Sequence, residues 1–434
     1  MRGLIIFLIG FISIPGIAQF KNITIVDDNG TSFIPRNPSV AINRKDPLNM
    51  VIGVSNRAYV TLDGGTTWTE SSLGTSIYGG GKPVLLSDQK GNLFCFQQSD
   101  KDGKGSSDDG WLDRIVCQES SNNGETWKEE VYFGINPPKD QNFFHITTHS
   151  KKSILYATWT QFDSYRLEDA NCQSNVLYSM SMNGGGKWTR PIQVSQTPGD
   201  CKDDDNTAVE ATPAVGFDGK IFTAWYNQGN IFFDRSYDGG ETWLSNDLAI
   251  HKLKGGRSMM IPGFGRVNLS LQLVSDISPT RAQGHLYIVY ADQQKKDSNE
   301  SDIYMIRSVN RGDNWTTPLR INNDEPGKYH FSQAVALDQT SGYMYVLYYD
   351  RRAYDDNRTD VYLAYSVNAG DSFSEVKISE TSFDPKEMKI ESGYLSLSAH
   401  DGVVVPVWTR IDGNKVSILT SIIKIEDLRK ANTK

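Results

Sequence analysis

Four arginines and two histidines stand where their side chains could do chemistry. Arg351 and Arg352 lie in Tyr349-Asp350-Arg351-Arg352-Ala353-Tyr354-Asp355-Asp356, and Arg257 and Arg266 lie in the stretch Gly255–Asn268. A guanidinium grips a carboxylate or sulfate at two points, so these side chains suit an anionic substrate. His145 and His330 offer a different reaction. With Tyr329 and Lys328, they have the side-chain types needed to take the proton beside a uronic acid carboxylate. His145 and His149 would share one face of a strand, but one such pair does not make a zinc site. The acidic runs Asp203-Asp204-Asp205 and Asp355-Asp356-Asn357 carry oxygen ligands that Ca²⁺ accepts, without matching a calcium-loop spacing. Solvated loops are expected there, and no cofactor is expected.

These residues hang on a repeat. The segment Ser236-Tyr237-Asp238-Gly239-Gly240-Glu241-Thr242-Trp243 reads Ser-x-Asp-x-Gly-x-Thr-Trp. The pattern returns at Thr61, Ser120, Ser181, Ser308 and Ser366, about 60 residues apart, and a regular period marks a repeat architecture. The chemistry is that of a turn. The Asp or Asn accepts hydrogen bonds from backbone N–H groups two or three residues on. The Gly supplies a positive φ, and the aromatic residue anchors the loop in apolar packing.

The repeats resemble Asp-boxes, also called BNR repeats, of the sialidase-like β-propellers, and they cover residues 60 to 375. In that family the box turns the third strand of a blade into the fourth. Second strands then align on an aromatic followed by a polar residue, as in Trp159/Gln161, Trp225/Asn227, Tyr290/Asp292, Tyr348/Asp350 and Trp408/Arg410. Weaker versions stand at Phe96/Gln98 and Val54/Asn56. Seven inner strands precede them, at Ser39–Asn43, Val84–Ser87, His145–His149, Pro213–Phe217, Ser270–Val274, Ala334–Asp338 and Leu395–Ala399. The last unit lacks a box and a fourth strand, while Asn22–Val26 is a spare strand. The expected fold is all-β, a seven-bladed β-propeller over residues 20–425 closed by the N-terminal strand. A six-bladed ring is the alternative, should the last unit pack with the sixth blade.

The resemblance also implies a site at the axis, on the face built by loops entering inner strands. There Glu210, in Val209-Glu210-Ala211, looks like the family's mid-chain Glu. Tyr394, in Gly393-Tyr394-Leu395-Ser396-Leu397, looks like its Gly-Tyr-Ser nucleophile segment. A Glu beside a Tyr takes its proton and makes the phenolate a nucleophile. The family's Arg-Ile-Pro signature is absent, and Phe33-Ile34-Pro35-Arg36 has its residues in another order. The leading expectation is a glycosidase acting on an acidic sugar, sialidase-like, with Glu210 and Tyr394 reacting and Arg352 and Arg266 binding the anion. A non-catalytic glycan- or protein-binding propeller is the second. The third is a polysaccharide lyase using His145 or His330.

Composition agrees with an exported β protein. The chain has 434 residues, 11% aromatics and 38 glycines, with no long 3.6-residue periodicity. A net charge of −8 and the lack of a basic stripe exclude a nucleic-acid partner. Residues 1–18 read as a signal peptide, with Arg2, an apolar run from Leu4 to Ile17, and Gly16-Ile17-Ala18 before cleavage. Secretion, or a periplasmic or cell-surface location, follows, with no membrane span after cleavage. Four cysteines allow three pairings; Cys95–Cys117 and Cys172–Cys201 are the bridges expected. Residues 426–434 read as a short solvated tail.

Overall fold

An open sheet array leaves unpaired backbone groups at its edges, and a closed ring removes them. The computed structural model describes residues 20–28, 33–73, 82–100, 112–136, 138–149, 152–268, 270–386 and 395–431. Seven antiparallel sheets stand round one axis as propeller blades. Their inner strands are Ser39–Ile42, Val84–Ser87, Asp140–Thr148, Val209–Val215, Leu271–Ser275, His330–Asp338 and Leu395–His400. In the seventh sheet the order runs Ile23–Asp27, Lys415–Thr420, Val403–Asp412, Leu395–His400. The N-terminal strand is therefore the outer strand of the last blade. Ile23 pairs with Thr420 and Asp27 with Ser417. The six-bladed alternative falls, because the last unit makes a sheet of its own.

The aromatic residues used to align the second strands fill the space between blades. Trp159 and Trp225 are 0% exposed and Trp408 is 1% exposed. Removing a large side chain from water contributes about 2–3 kcal/mol. Tyr178 of the third blade packs with Val215 and Trp225 of the fourth, and this blade-on-blade contact repeats round the ring.

Each box ties the same knot. The Ser181 hydroxyl accepts the Gly185 N–H at 2.9 Å and donates to Asn183 Oδ1 at 3.0 Å. Asn183 Oδ1 then accepts the Lys187 N–H at 2.9 Å. The accepted N–H is four residues on, not two or three, so the side chain spans the whole loop. In the 236–243 copy, Gly240 has φ 90°, and a Cβ there would overlap the Tyr178 ring of the preceding blade. Glycine thus answers both to the turn and to the neighbour.

Two expectations need correction. Cys172 and Cys201 are bridged, but Cys95 and Cys117 are free and buried. The register pairs Cys95 with Gln118 and Phe96 with Cys117. Side chains alternate faces along a strand, so this one-residue offset sends the two thiols to opposite faces and into different clusters. The C-terminal segment is also more than a solvated tail. Ile425–Ala431 is a helix, and its Leu428 is 0% exposed in the core. Among the described residues, no helix is long and apolar enough to cross a membrane.

Candidate functional site

Three inner strands begin earlier than their alternation suggests. In each, the pairing register shifts near the start, between Asn142 and His145, Val209 and Thr212, and Phe331 and Ala334. Each shift holds a non-glycine residue with positive φ: Phe143 at 49°, Glu210 at 60° and Ser332 at 55°. Such a backbone costs about 1–3 kcal/mol and is kept where surrounding contacts impose it. Around Glu210, the Thr158 hydroxyl donates to Ala211 O at 2.5 Å and the Thr212 hydroxyl to Leu271 O at 3.0 Å. A bulge re-aims a side chain. Here Phe143, Glu210 and Ser332 all line one cavity of about 450 Å³ on the axis.

His145 and Glu210 meet on the cavity wall. His145 Nε2 lies 3.3 Å from Glu210 Oε2, joining the third and fourth blades. The His145 side chain is 27% exposed and that of Glu210 12%. Burial alone would push the Glu210 carboxyl up. The bond to His145 and the charges of His145, Arg257 and Lys82 outweigh burial and hold it below its ordinary value. Glu210 is thus an ionised acceptor, and it favours the proton on Nε2 of His145. Lys82 also lines the cavity, with its ammonium 5.7 Å from the Phe143 ring centre.

The expected arginines are engaged elsewhere. Arg352 pairs with Asp350 at 2.6 Å and Glu375 at 2.9 Å, and lies over Tyr362. Arg351 is buried, donating to Thr359 Oγ1 at 3.0 Å and Pro262 O at 2.8 Å. Arg257 is 0% exposed and is paired with Asp203. Arg266 donates to the Asp203 carbonyl. Among the described residues lining the cavity, none of these four occurs. Asp350 stands two residues before Arg352, but local sequence hid the other partners: Asp203 and Glu375 are met only in the folded chain.

His330 and Tyr329 also lie away from the cavity wall. His330 is 0% exposed. Its ring sits 3.2 Å from Asp324, 3.4 Å from Asp350 and 3.5 Å from Asp302. These carboxylates raise its pKa well above the ordinary value against the pull of burial. The Tyr329 carbonyl accepts the Arg351 N–H at 3.1 Å, and burial raises its phenol pKa. Tyr394 lies outside the described residues, as do residues 1–18.

The two acidic runs differ from each other. Asp203 is buried beneath Arg257 and accepts the Tyr165 hydroxyl at 3.0 Å. Asp205 accepts the Lys296 ammonium at 2.6 Å. Asp356 pairs with Arg358 at 3.0 Å on the surface. Among the described residues, no group of three or more His, Cys, Asp or Glu side chains could hold a metal ion. Lys82, Phe143, Gln272 and Gln333 line the cavity although nothing in the sequence singled them out. The signal available was polar glutamines inside otherwise apolar inner strands.

No protein-family model matches the chain, and no curated protein does. Solved structures do resemble it. A polysaccharide lyase, an ulvan lyase bound to a glucuronic acid–rhamnose 3-sulfate unit, superposes with TM-score 0.52 at 13% identity, covering 95% of this chain and 99% of that one. The NanB sialidase from Streptococcus pneumoniae gives 0.51 at 10% identity, covering 89% and 83%. A protein of unknown function from Dyadobacter fermentans gives 0.51 at 12%, covering 95% and 100%. The likeness is one of fold.

Proposed function

We propose that this protein acts on an acidic glycan in the axial cavity, by proton transfer at His145 held by Glu210. The observation that carries the reading is the 3.3 Å contact between them on the cavity wall. In the neutral ring, with the proton on Nε2, Nδ1 keeps a lone pair and serves as base. In a uronic acid, the hydrogen beside the carboxylate carbon is the acidic one. The base takes that proton, the C–H electrons form a double bond to the neighbouring carbon, and the glycosidic oxygen leaves from it and takes a proton from water. Lys82 is the one lysine or arginine among the described residues lining the cavity, and it supplies positive charge for the substrate anion. The chain works outside the cytoplasm, secreted or at a cell surface. The Cys172–Cys201 bridge supports this, as does the leader-like segment 1–18.

A second reading is hydrolysis by Glu210 and Tyr394. It is favoured by Leu395, which follows Tyr394 directly and lines the same cavity as Glu210. The phenol proton would pass to Glu210, the phenolate would attack the anomeric carbon as the aglycone oxygen leaves with a proton from Glu210, and water would then cleave the tyrosyl–sugar bond.

One assay separates the readings. Purified protein is offered uronic-acid and sialylated glycans while ultraviolet absorbance and free sugar are followed. New absorbance that Glu210→Gln and His145→Ala abolish supports elimination. Free sugar without absorbance, lost in Tyr394→Phe, supports hydrolysis. Silence on both channels across a broad panel sinks both.

A further inference from the structure

The axis carries more than one chamber. Below the Glu210 cavity, apolar inner-strand residues such as Val40, Leu85, Leu273 and Val335 line both it and a second section. That section shares Arg44, Gln339 and His400 with a third chamber of about 360 Å³. The third chamber is built from turns that join first strands to second, on the face where the boxes also lie. It is therefore at the opposite end of the axis from Glu210.

Arg44 dominates this chamber. Its backbone is pinned on both sides: its N–H donates to Ser87 Oγ at 3.1 Å, and its carbonyl accepts His400 Nε2–H at 2.9 Å. Among the described residues, its guanidinium has no ion pair, and Nη1 is buried without a hydrogen-bond partner. Asp88, the acid whose charge acts on Arg44, is used by its own turn. It accepts the Lys90 and Asn92 N–H groups at 2.9 and 3.0 Å. Burial lowers the Arg44 pKa, and the Asp88 charge only partly opposes this. A partly buried cation without a hydrogen-bonded counter-charge is costly, and such a group is expected where a ligand completes it.

The chamber wall is set for a small guest. Gln339 is held rigid, accepting the Ile277 N–H and donating to Ser275 O, both at 2.9 Å. Phe217, 40% exposed, gives the chamber an apolar side. We propose that this chamber is a second ligand site, separate from the Glu210 cavity, which takes a small oxyanion on Arg44. A carboxylate or a sulfate matches the two-point geometry of a guanidinium. The volume suits one sugar acid or a free inorganic anion.

Calorimetric titration of the full chain with sodium glucuronate, sodium sulfate and neutral glucose, at constant ionic strength, tests this. Binding of sulfate is expected at one site, with glucuronate binding both there and in the Glu210 cavity, and none for glucose. Arg44→Gln weakens sulfate binding about tenfold or more, and Arg44→Lys weakens it less. Glu210→Gln leaves it unchanged. At the site that Arg44→Gln weakens, tighter binding of glucuronate than sulfate identifies a sugar acid as the guest; equal binding identifies a simple anion. The proposal is overturned if Arg44→Gln binds as the wild type does, if Glu210→Gln abolishes binding, or if neither anion binds at millimolar concentration. Should Arg44→Gln fail to fold, the Arg44→Lys titration decides alone.

Discussion

His145 and Glu210 face each other across the seam between two adjacent blades, Nε2 to Oε2 at 3.3 Å. Each stands at a register shift near the start of its strand, between Asn142 and His145 and between Val209 and Thr212. Glu210→Gln keeps the shape and removes the charge that sets the imidazole tautomer. Turnover of an acidic glycan is expected to fall about 10²–10⁴-fold, the usual worth of a positioned acid–base group. His145→Ala should cost as much, and the double variant little more, because the two act as a unit. Initial rates, with melting temperatures to check folding, measure this.

The same pair predicts an acid limit. Glu210 titrates below its ordinary value of 4.5 in the folded chain. Its contribution to stability is therefore present above that value and is lost as pH falls through the lower folded one. Unfolding free energy measured by denaturant between pH 6 and 3 should drop less steeply in Glu210→Gln than in the wild type.

His330 gives the opposite sign. Its folded pKa is raised well above 6.5, so its stabilisation is complete below 6.5 and is lost as pH rises through the folded value. Asp324 beside it is held down to about 2 and contributes from above 3.8 down to that point. His330→Ala removes one cation from carboxylates that keep Arg320 and Arg352 as partners, and should cost about 1–3 kcal/mol. Denaturant titration near neutral pH checks it, and a wild-type curve flat into alkaline pH would count against the cage.

Thiol chemistry distinguishes the cysteines. The bridge Cys172–Cys201 closes a 29-residue separation, and Cys172→Ser with Cys201→Ser should remove about 3 kcal/mol. Burial pushes the Cys95 thiol up to about 12, so native protein should resist alkylation. Unfolded without reductant, it should release two reactive thiols.

A box glycine can be tested in the same way. Gly240→Ala places a methyl group against Tyr178 at φ 90°, and a loss of about 1–3 kcal/mol is expected. Ser236→Ala removes the acceptor of the Gly240 N–H, worth about 1 kcal/mol. Thermal unfolding of both variants reads the difference.

The blades were legible in the sequence because a box closes its loop within eight residues. Its Ser, Asp and Gly act on one another, and the aromatic alignments follow from alternation in single strands. The closing strand was legible for a similar reason: the last unit lacked one and Asn22–Val26 was spare. The thiol faces were not, since a one-residue change of register reverses a side chain. Nor was the fate of the arginines, because Arg257 finds Asp203 and Arg352 finds Glu375 only after distant loops converge. The bulges at Phe143, Glu210 and Ser332 break the alternation just where the cavity begins, and periodicity ends there.

The last blade takes its outer strand from the other extremity of the ring: Asp27 and Lys415, joined at 3.1 Å, are 388 positions apart. Closing so long a loop comes late and is slow. A chain emerging in order can build its middle blades, yet it leaves Lys415–Thr420 with a bare edge until both extremities are present. A chain cut before Lys415 thus has no partner for its first strand. The seam works as a check on full length.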